Sequence, residues 1–208
     1  MGAMSFQHII FDFNGTLVDS SAIIHEIVAE LIKKSRFRSI TSKDFENPQD
    51  LPLLKRIKVL IFTAKYARKF LRLYSERSSE IPFADGVLPM LTLLGESGFK
   101  YSILSSNSQD MIRALFKQHN LPIGPVYKAH RLSGKKSAIK SFIKHNRCSA
   151  GDVLYIGDEK RDVEVCNKCG VGIIFVKWGL GANEDLSGYK VKAVANTPAE
   201  LTEYLLVI

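Results

Sequence analysis

The stretch "FDFNGTLVDS", residues 11–20, sets a carboxylate, a turn residue and a hydroxyl close together at the end of an apolar run. Asp12 ends the run, Gly15 lets the chain turn sharply three residues later, and Thr16 adds a hydroxyl expected to bond within the same loop. Asn14, two residues after Asp12, brings an amide into the same turn. A carboxylate such as Asp12 can attack phosphorus, dividing one hard displacement into two easier ones through an aspartyl phosphate. Nucleophile and phosphoryl group are both anionic, so a divalent cation has to sit between them. Magnesium suits that place because it takes hard oxygen ligands, usually a few carboxylates with water and substrate phosphate.

Three further segments carry matching groups. Ser106 and Asn107 close "YSILSSN" and can donate hydrogen bonds to phosphoryl oxygens, and "SGKK" offers Lys135 or Lys136 to neutralise the charge spread over them. "VLYIGDEKRD" ends a fourth apolar run with Asp158, the natural second metal carboxylate, and Asp162 follows. Asp162 fits a metal-bound water or the lysine, or else a first-turn carboxylate on the next helix.

Groups so far apart in sequence meet only if the chain builds an open parallel sheet, where ligands bind outside the carboxyl ends of the strands. The pattern is of that kind. Short apolar runs at 8–13, 101–106, 124–129, 153–158 and 171–177, with a sixth at 191–195 for an edge, alternate with helical stripes. The stripes include Val87, Leu88, Leu91 and Leu94; Met111, Ile112, Leu115 and Phe116; and Ala138, Ile139, Phe142 and Ile143. The fold class is therefore α/β, a doubly wound, Rossmann-like parallel sheet.

Between the first two runs the pattern stays helical for too long to be one crossover. Ile23 to Ile32, then Leu53, Leu54, Ile57, Leu60 and Ile61, then Ala67, Phe70, Leu71 and Tyr74 form successive stripes, parted or closed by polar, proline-bearing stretches at 35–52 and 75–86. The expected organisation is a core of residues 4–19 and 83–208 with a helical cap inserted at 20–82, hinged near Leu17–Ser20 and Ile81–Gly86. Met1-Gly2-Ala3-Met4 resembles the residue of a cleaved expression tag, so residues 1–3 are set aside.

"DFNGTLVDS", "ILSSNS", "SGKKSAIKSFI" and "VLYIGDEKRDVEVCNKCG", in that order, resemble the four motifs of the haloacid dehalogenase superfamily, in particular its phosphoglycolate-phosphatase-like branch. "FVKWGLGANEDL" and "ANTPAEL" fit the same branch, so the resemblance spans most of Phe6 to Leu206. It implies a phosphoric monoester hydrolase with Asp12 as nucleophile, Lys135 as the phosphate lysine, and phosphate contacts from Ser106, Asn107 and Thr16. It also implies Mg2+ held by Asp12, the backbone carbonyl of Asn14, Asp158 and, through water, Asp162. In such phosphatases the residue two after the nucleophile is an Asp that protonates the leaving alcohol and then activates water. Asn14 keeps the shape without the proton, and losing a positioned acid or base costs ~10²- to 10⁴-fold in rate. The expected function is a slowed phosphatase for a small phosphorylated metabolite; the alternative is an impaired relative that binds a phosphorylated ligand or a protein partner.

The rest of the composition narrows the field. The chain has 208 residues, a formal charge of +8 and no apolar run near the ~20 residues of a membrane span, which suggests a cytoplasmic protein without a membrane partner. The basic runs read as solvated helix faces rather than a nucleic-acid surface. Cys166 and Cys169 form a lone CxxC without a second pair, and with Val163 and Gly170 they are expected on the buried face of a helix; Cys148 stands alone. Trp178, at the end of the fifth run, reads as a packing residue, the alternative being one that faces the cleft. His8, His25, His119, His130 and His145 lack metal-ligand spacing. Neither the substrate nor the oligomeric state can be read from the sequence.

Overall fold

The computed structural model describes residues 6–45, 48–129 and 134–207. His130, Ser133 and residues 1–3 lie outside them. Among the described residues no helix is long and apolar enough to cross a membrane. The chain divides into two compact units, one built from the residues up to Asp19 and from Pro82 onward, the other from Ser20–Ile81.

The first unit is a six-stranded, all-parallel sheet in the order β3-β2-β1-β4-β5-β6. The strands are β1 His8–Phe11, β2 Ser102–Ser105, β3 Val126–Lys128, β4 Val153–Gly157, β5 Gly172–Val176 and β6 Ala193–Ala195. All six apolar runs contain strands, each a little shorter than its run: at β1, β2, β4 and β5 the polar residue near the carboxyl end has left the ladder, whereas β3 loses Gly124, Pro125 and Ala129 and β6 loses Val191 and Lys192. β1 is central, hydrogen-bonded to β2 on one side and β4 on the other. The chain passes from β1 to β2 on one side and comes to β4 on the other side only after β3, so the strand order reverses beside β1 and a crevice opens beyond its carboxyl end.

Helices cover the sheet: α3 Val87–Glu96, α4 Gln109–Gln118, α5 Gly134–Asn146, α6 Lys160–Cys169 and α7 Pro198–Leu206. Every residue of β4 is buried, as expected of a central strand with both faces packed. Ile10, Phe142, Tyr155, Val163 and Cys166 share one core cluster, in which each large apolar side chain contributes ~1.5–3 kcal/mol on burial. Cys166 is thus a small core residue, and all three cysteines are free. Gly170 is not on the buried face: it is exposed and ends α6 in the left-handed conformation, φ 71°.

The second unit is helical. α1, Ser21–Lys33, buries Ile23, Ile27, Val28 and Leu31. α2 runs from Leu53 to Glu76 without a break, about 36 Å at 1.5 Å per residue. Two separately read stripes are one helix because no Gly or Pro stands between them. α2 buries Val59, Phe62 and Tyr74, and Phe62 packs edge-on against Phe37 and Phe45. Lys55 pairs at 2.7 Å with Asp44, whose carboxylate also accepts from the Thr41 backbone and hydroxyl. The stripe of Leu53, Leu54, Ile57, Leu60 and Ile61 lies on the opposite side of α2 and is exposed.

Candidate active site

The end of β1 aligns with the end of β4, Phe11 opposite Ile156, so the next residues of each strand, Asp12 and the Gly157–Asp158 pair, stand at the same edge. Asp12 is held there by its backbone N–H, which donates to the Ile156 carbonyl at 2.8 Å. The chain then turns back, and Gly15 makes the turn possible with φ 81°. A side chain at Gly15 would also collide: its Cβ would lie 2.1 Å from Asp158 Oδ2. Close approach and positive φ together demand glycine.

Thr16 is fully buried and donates its hydroxyl to Asp158 Oδ1 at 3.0 Å. It therefore reaches across the sheet rather than bonding within its own loop. That hydroxyl supports a carboxylate of the cluster. The other Asp158 oxygen accepts from the Leu180 backbone N–H at 2.9 Å. Gly179 makes this strap possible, since a Cβ there would lie 2.3 Å from Asp158 Oδ2. Trp178, half-buried in the same segment, donates its indole N–H to the Thr16 carbonyl at 2.9 Å. Its role is more than packing: it ties the segment after β5 to the loop after β1.

Lys135, in the first turn of α5, donates to Asp12 Oδ2 and to Asp162 Oδ1, each at 2.6 Å. Lys136, 100° further round the helix, is exposed and borders a surface depression with Lys140 and Lys144. The Lys135 ammonium also lies 5.8 Å from the centre of the Tyr155 ring, where a cation–π attraction adds to the ion pairs. Asp162 sits in the first turn of α6, almost wholly buried. Asn107 donates its side-chain N–H to Asn14 Oδ1 at 3.2 Å, and its own backbone N–H is held by the buried Ser105 hydroxyl at 3.1 Å. Ser106, between them, is exposed at the end of β2.

Asp12, Asp158 and Asp162 each bring a carboxylate oxygen within 4.8 Å of the others. One ammonium faces three carboxylates. Burial, then the Asp12 charge, push the Asp158 carboxyl up to about 7, and the same two causes raise Asp162. Burial pulls Lys135 down, but Asp12 and Asp162 outweigh it and hold the ammonium above its ordinary value. Asp162 Oδ2 is buried without a hydrogen-bond partner among the described residues. An orphaned oxygen beside an excess of negative charge suits a small, hard divalent cation, and the all-oxygen donor set fits Mg2+.

Sequence reading therefore pointed to the groups that meet here, Asp12, Asn14, Asn107, Lys135, Asp158 and Asp162. It missed Ser105, Trp178, Gly179 and the Leu180 N–H. The signal for the last three was in "WGLG", a glycine pair directly after a strand end, where backbone must pass close to another group.

Residues 9–176 match the model of the haloacid dehalogenase-like hydrolase family. A phosphoglycolate phosphatase of Synechococcus elongatus is 25% identical over 203 residues, covering 95% of this chain and 96% of that protein. Among solved structures, a haloacid dehalogenase-like family hydrolase from Streptococcus pneumoniae superposes with a TM-score of 0.73 at 21% identity, over 98% of this chain and 99% of the other. CbbY of Rhodobacter sphaeroides, solved in complex with phosphate, gives 0.68 at 13% identity over 94% and 96%. The family model covers the strands that carry Asp12, Asn107, Asp158 and the β5 edge, and on that match this chain belongs to the haloacid dehalogenase-like hydrolases.

Proposed function

We propose that the chain is a magnesium-dependent phosphatase for a small phosphorylated metabolite, acting by phosphoryl transfer to Asp12 and slowed by Asn14. The observation that carries this reading is the cluster of three buried carboxylates with one lysine at the carboxyl edge of the sheet. Buried like charges are costly, and such clusters persist where a cation or a reaction uses them. The relative that shares nearly the full length is a phosphatase, and CbbY binds phosphate, which supports the reaction class.

In this reading Asp12 attacks phosphorus and Ser106, Asn107 and Lys135 hold the phosphoryl oxygens. Asp12, Asp158, the Asn14 backbone carbonyl and, through water, Asp162 would hold the cation. When bound, it neutralises charge between the two anions. Lys135 keeps Asp12 and Asp162 apart and oriented. Thr16 and the Leu180 N–H fix both oxygens of Asp158. Residues 20–82, the helical segment, serve as a cap that selects the substrate. Its 13 Lys and Arg against 7 Asp and Glu over Ser20–Ile81 favour an anionic one.

The test is hydrolysis of p-nitrophenyl phosphate with Mg2+ and with a chelator, beside Asp12→Asn. Activity that needs the metal and Asp12 supports the reading, and activity that survives in Asp12→Asn overturns it. Asn14 favours a second reading, a chain that binds phosphorylated ligands with little turnover. Calorimetric phosphate binding without detectable hydrolysis would select it.

A further inference from the structure

The residues around Asp12 fall into a buried floor and an open rim, and the two differ in what they can do with a proton. Asp158 and Asp162 lie in the floor, 0% and 1% exposed. Both Asp158 oxygens accept from the protein, and Asp162 is paired with Lys135. Lys135 is clamped between two carboxylates, and Glu159, next along from Asp158, is paired with Arg161. At the rim, among the described residues of the sheet unit, stand Asn14, Ser106 and Asn107, none of which titrates in the neutral range.

A phosphoryl group transferred to Asp12 expels its leaving group in line, on the side away from the attacking oxygen. That side is the rim, since the floor is filled. The hydrogen bond from Asn107 is accepted by the Asn14 oxygen, and the other end of the Asn14 amide carries only N–H. An amide N–H can hydrogen-bond a departing oxyanion but cannot surrender its proton to one.

From this geometry we infer that the site is selective by leaving group: it takes phosphoryl from donors whose leaving group departs as a stable anion, acyl phosphates and phosphates of acidic phenols, and discriminates against phosphates of ordinary alcohols. The inference rests on the reading of Asp12 as phosphoryl acceptor. In the favoured step an Asp12 oxygen bonds to phosphorus, and the bond from phosphorus to the leaving oxygen breaks. The electron pair leaves with that oxygen as carboxylate or phenolate, and no proton moves. An alkoxide needs a proton that Asn14, Ser106 and Asn107 do not supply, a deficit of ~10²- to 10⁴-fold. In the second step water attacks the aspartyl phosphate, the Asp12 carboxylate is regenerated, and the proton passes to bulk water.

The experiment measures kcat/KM, which reports steps up to the first irreversible one, for acetyl phosphate, p-nitrophenyl phosphate, phenyl phosphate and an alkyl phosphate, all with Mg2+. It is run on the full chain and on Asn14→Asp. Acid-quenched intact mass after acetyl phosphate reads phosphoryl on the chain independently of turnover. The expected result is a fall of ~10³-fold or more from acetyl to alkyl phosphate, narrowing ~100-fold or more in Asn14→Asp. An alkyl phosphate within ~10-fold of acetyl phosphate in the unaltered chain overturns the selectivity while leaving Asp12 in its role, and needs no variant to fold. If neither chain cleaves any donor and no phosphoryl appears on the protein, the reading of Asp12 falls and the selectivity with it.

Discussion

The two units treat burial in opposite ways. In the sheet unit, carboxylates and an ammonium are taken out of water while the apolar strands are covered on both faces. In the helical unit nearly all the charge stays outside and an apolar stripe stays there with it: Leu53, Leu54 and Leu60 are 62%, 77% and 62% exposed. Desolvating a charge costs several kcal/mol unless it is paired or bound, whereas an exposed leucine costs little. The first arrangement is under tight physical constraint, and the second is loosely constrained. The buried charges are therefore concentrated in the sheet unit, and the exposed stripe of the helical unit is where substitutions are expected to be tolerated.

The sharpest way to break that contrast is at Asp12. Asp12→Asn is expected to lower Mg2+-dependent hydrolysis of p-nitrophenyl phosphate by ~10⁴-fold or more, measured by steady-state kinetics. Residual activity within ~10-fold of the parent would place the chemistry elsewhere.

Gly15→Ala should come next. It imposes a side chain at φ 81° and drives Cβ onto Asp158 Oδ2. A loss of ~100-fold in kcat with ~2–4 kcal/mol of stability, from urea midpoints, is expected. An unchanged midpoint would mean that the loop yields freely.

A smaller effect is read by pH. Asp158 has its folded value raised from 3.8 to about 7, and Asp162 moves the same way. A raised carboxyl gives stability that is complete below its unfolded value and lost as pH climbs through the folded one. In chelator the melting temperature should therefore drop as pH rises from about 4 to about 7 and level off above, and Mg2+ should remove the drop. Equal slopes with and without Mg2+ would deny the cluster a cation.

The smallest change is expected on the exposed stripe. Leu54→Ser should move stability by no more than ~0.5 kcal/mol, whereas Phe142→Ala in the core should cost ~3–5 kcal/mol. A large loss at Leu54 would show that the stripe is covered in solution.

Much of this was legible in the sequence because it obeys local periodicity. Strands β1 to β6 announce themselves as short apolar runs, and Asp12 and Asp158 are marked by ending two of them. What stayed hidden depends on contacts between distant segments. Thr16 meets Asp158 across 142 positions and Trp178 meets Thr16 across 162, and no spacing rule reports such pairs. Lys135 and Lys136 are adjacent and chemically alike, so only the phase of α5 separates them. The substrate stays unread for the opposite reason: the helical segment has strong periodicity but no chemically constrained residue to anchor a prediction.

The bond from Trp178 to the Thr16 carbonyl has an optical consequence. Trp178 is the sole tryptophan among the 208 residues, and it is attached to the loop that carries Asp12. The tryptophan emission of the protein thus arises at one place, four residues in sequence from Asp12 through that carbonyl. A rearrangement of the loop on filling of the site alters the polarity and hydrogen bonding of that indole. The protein carries its own fluorescent gauge of the site, readable without a label by titration under a spectrofluorimeter.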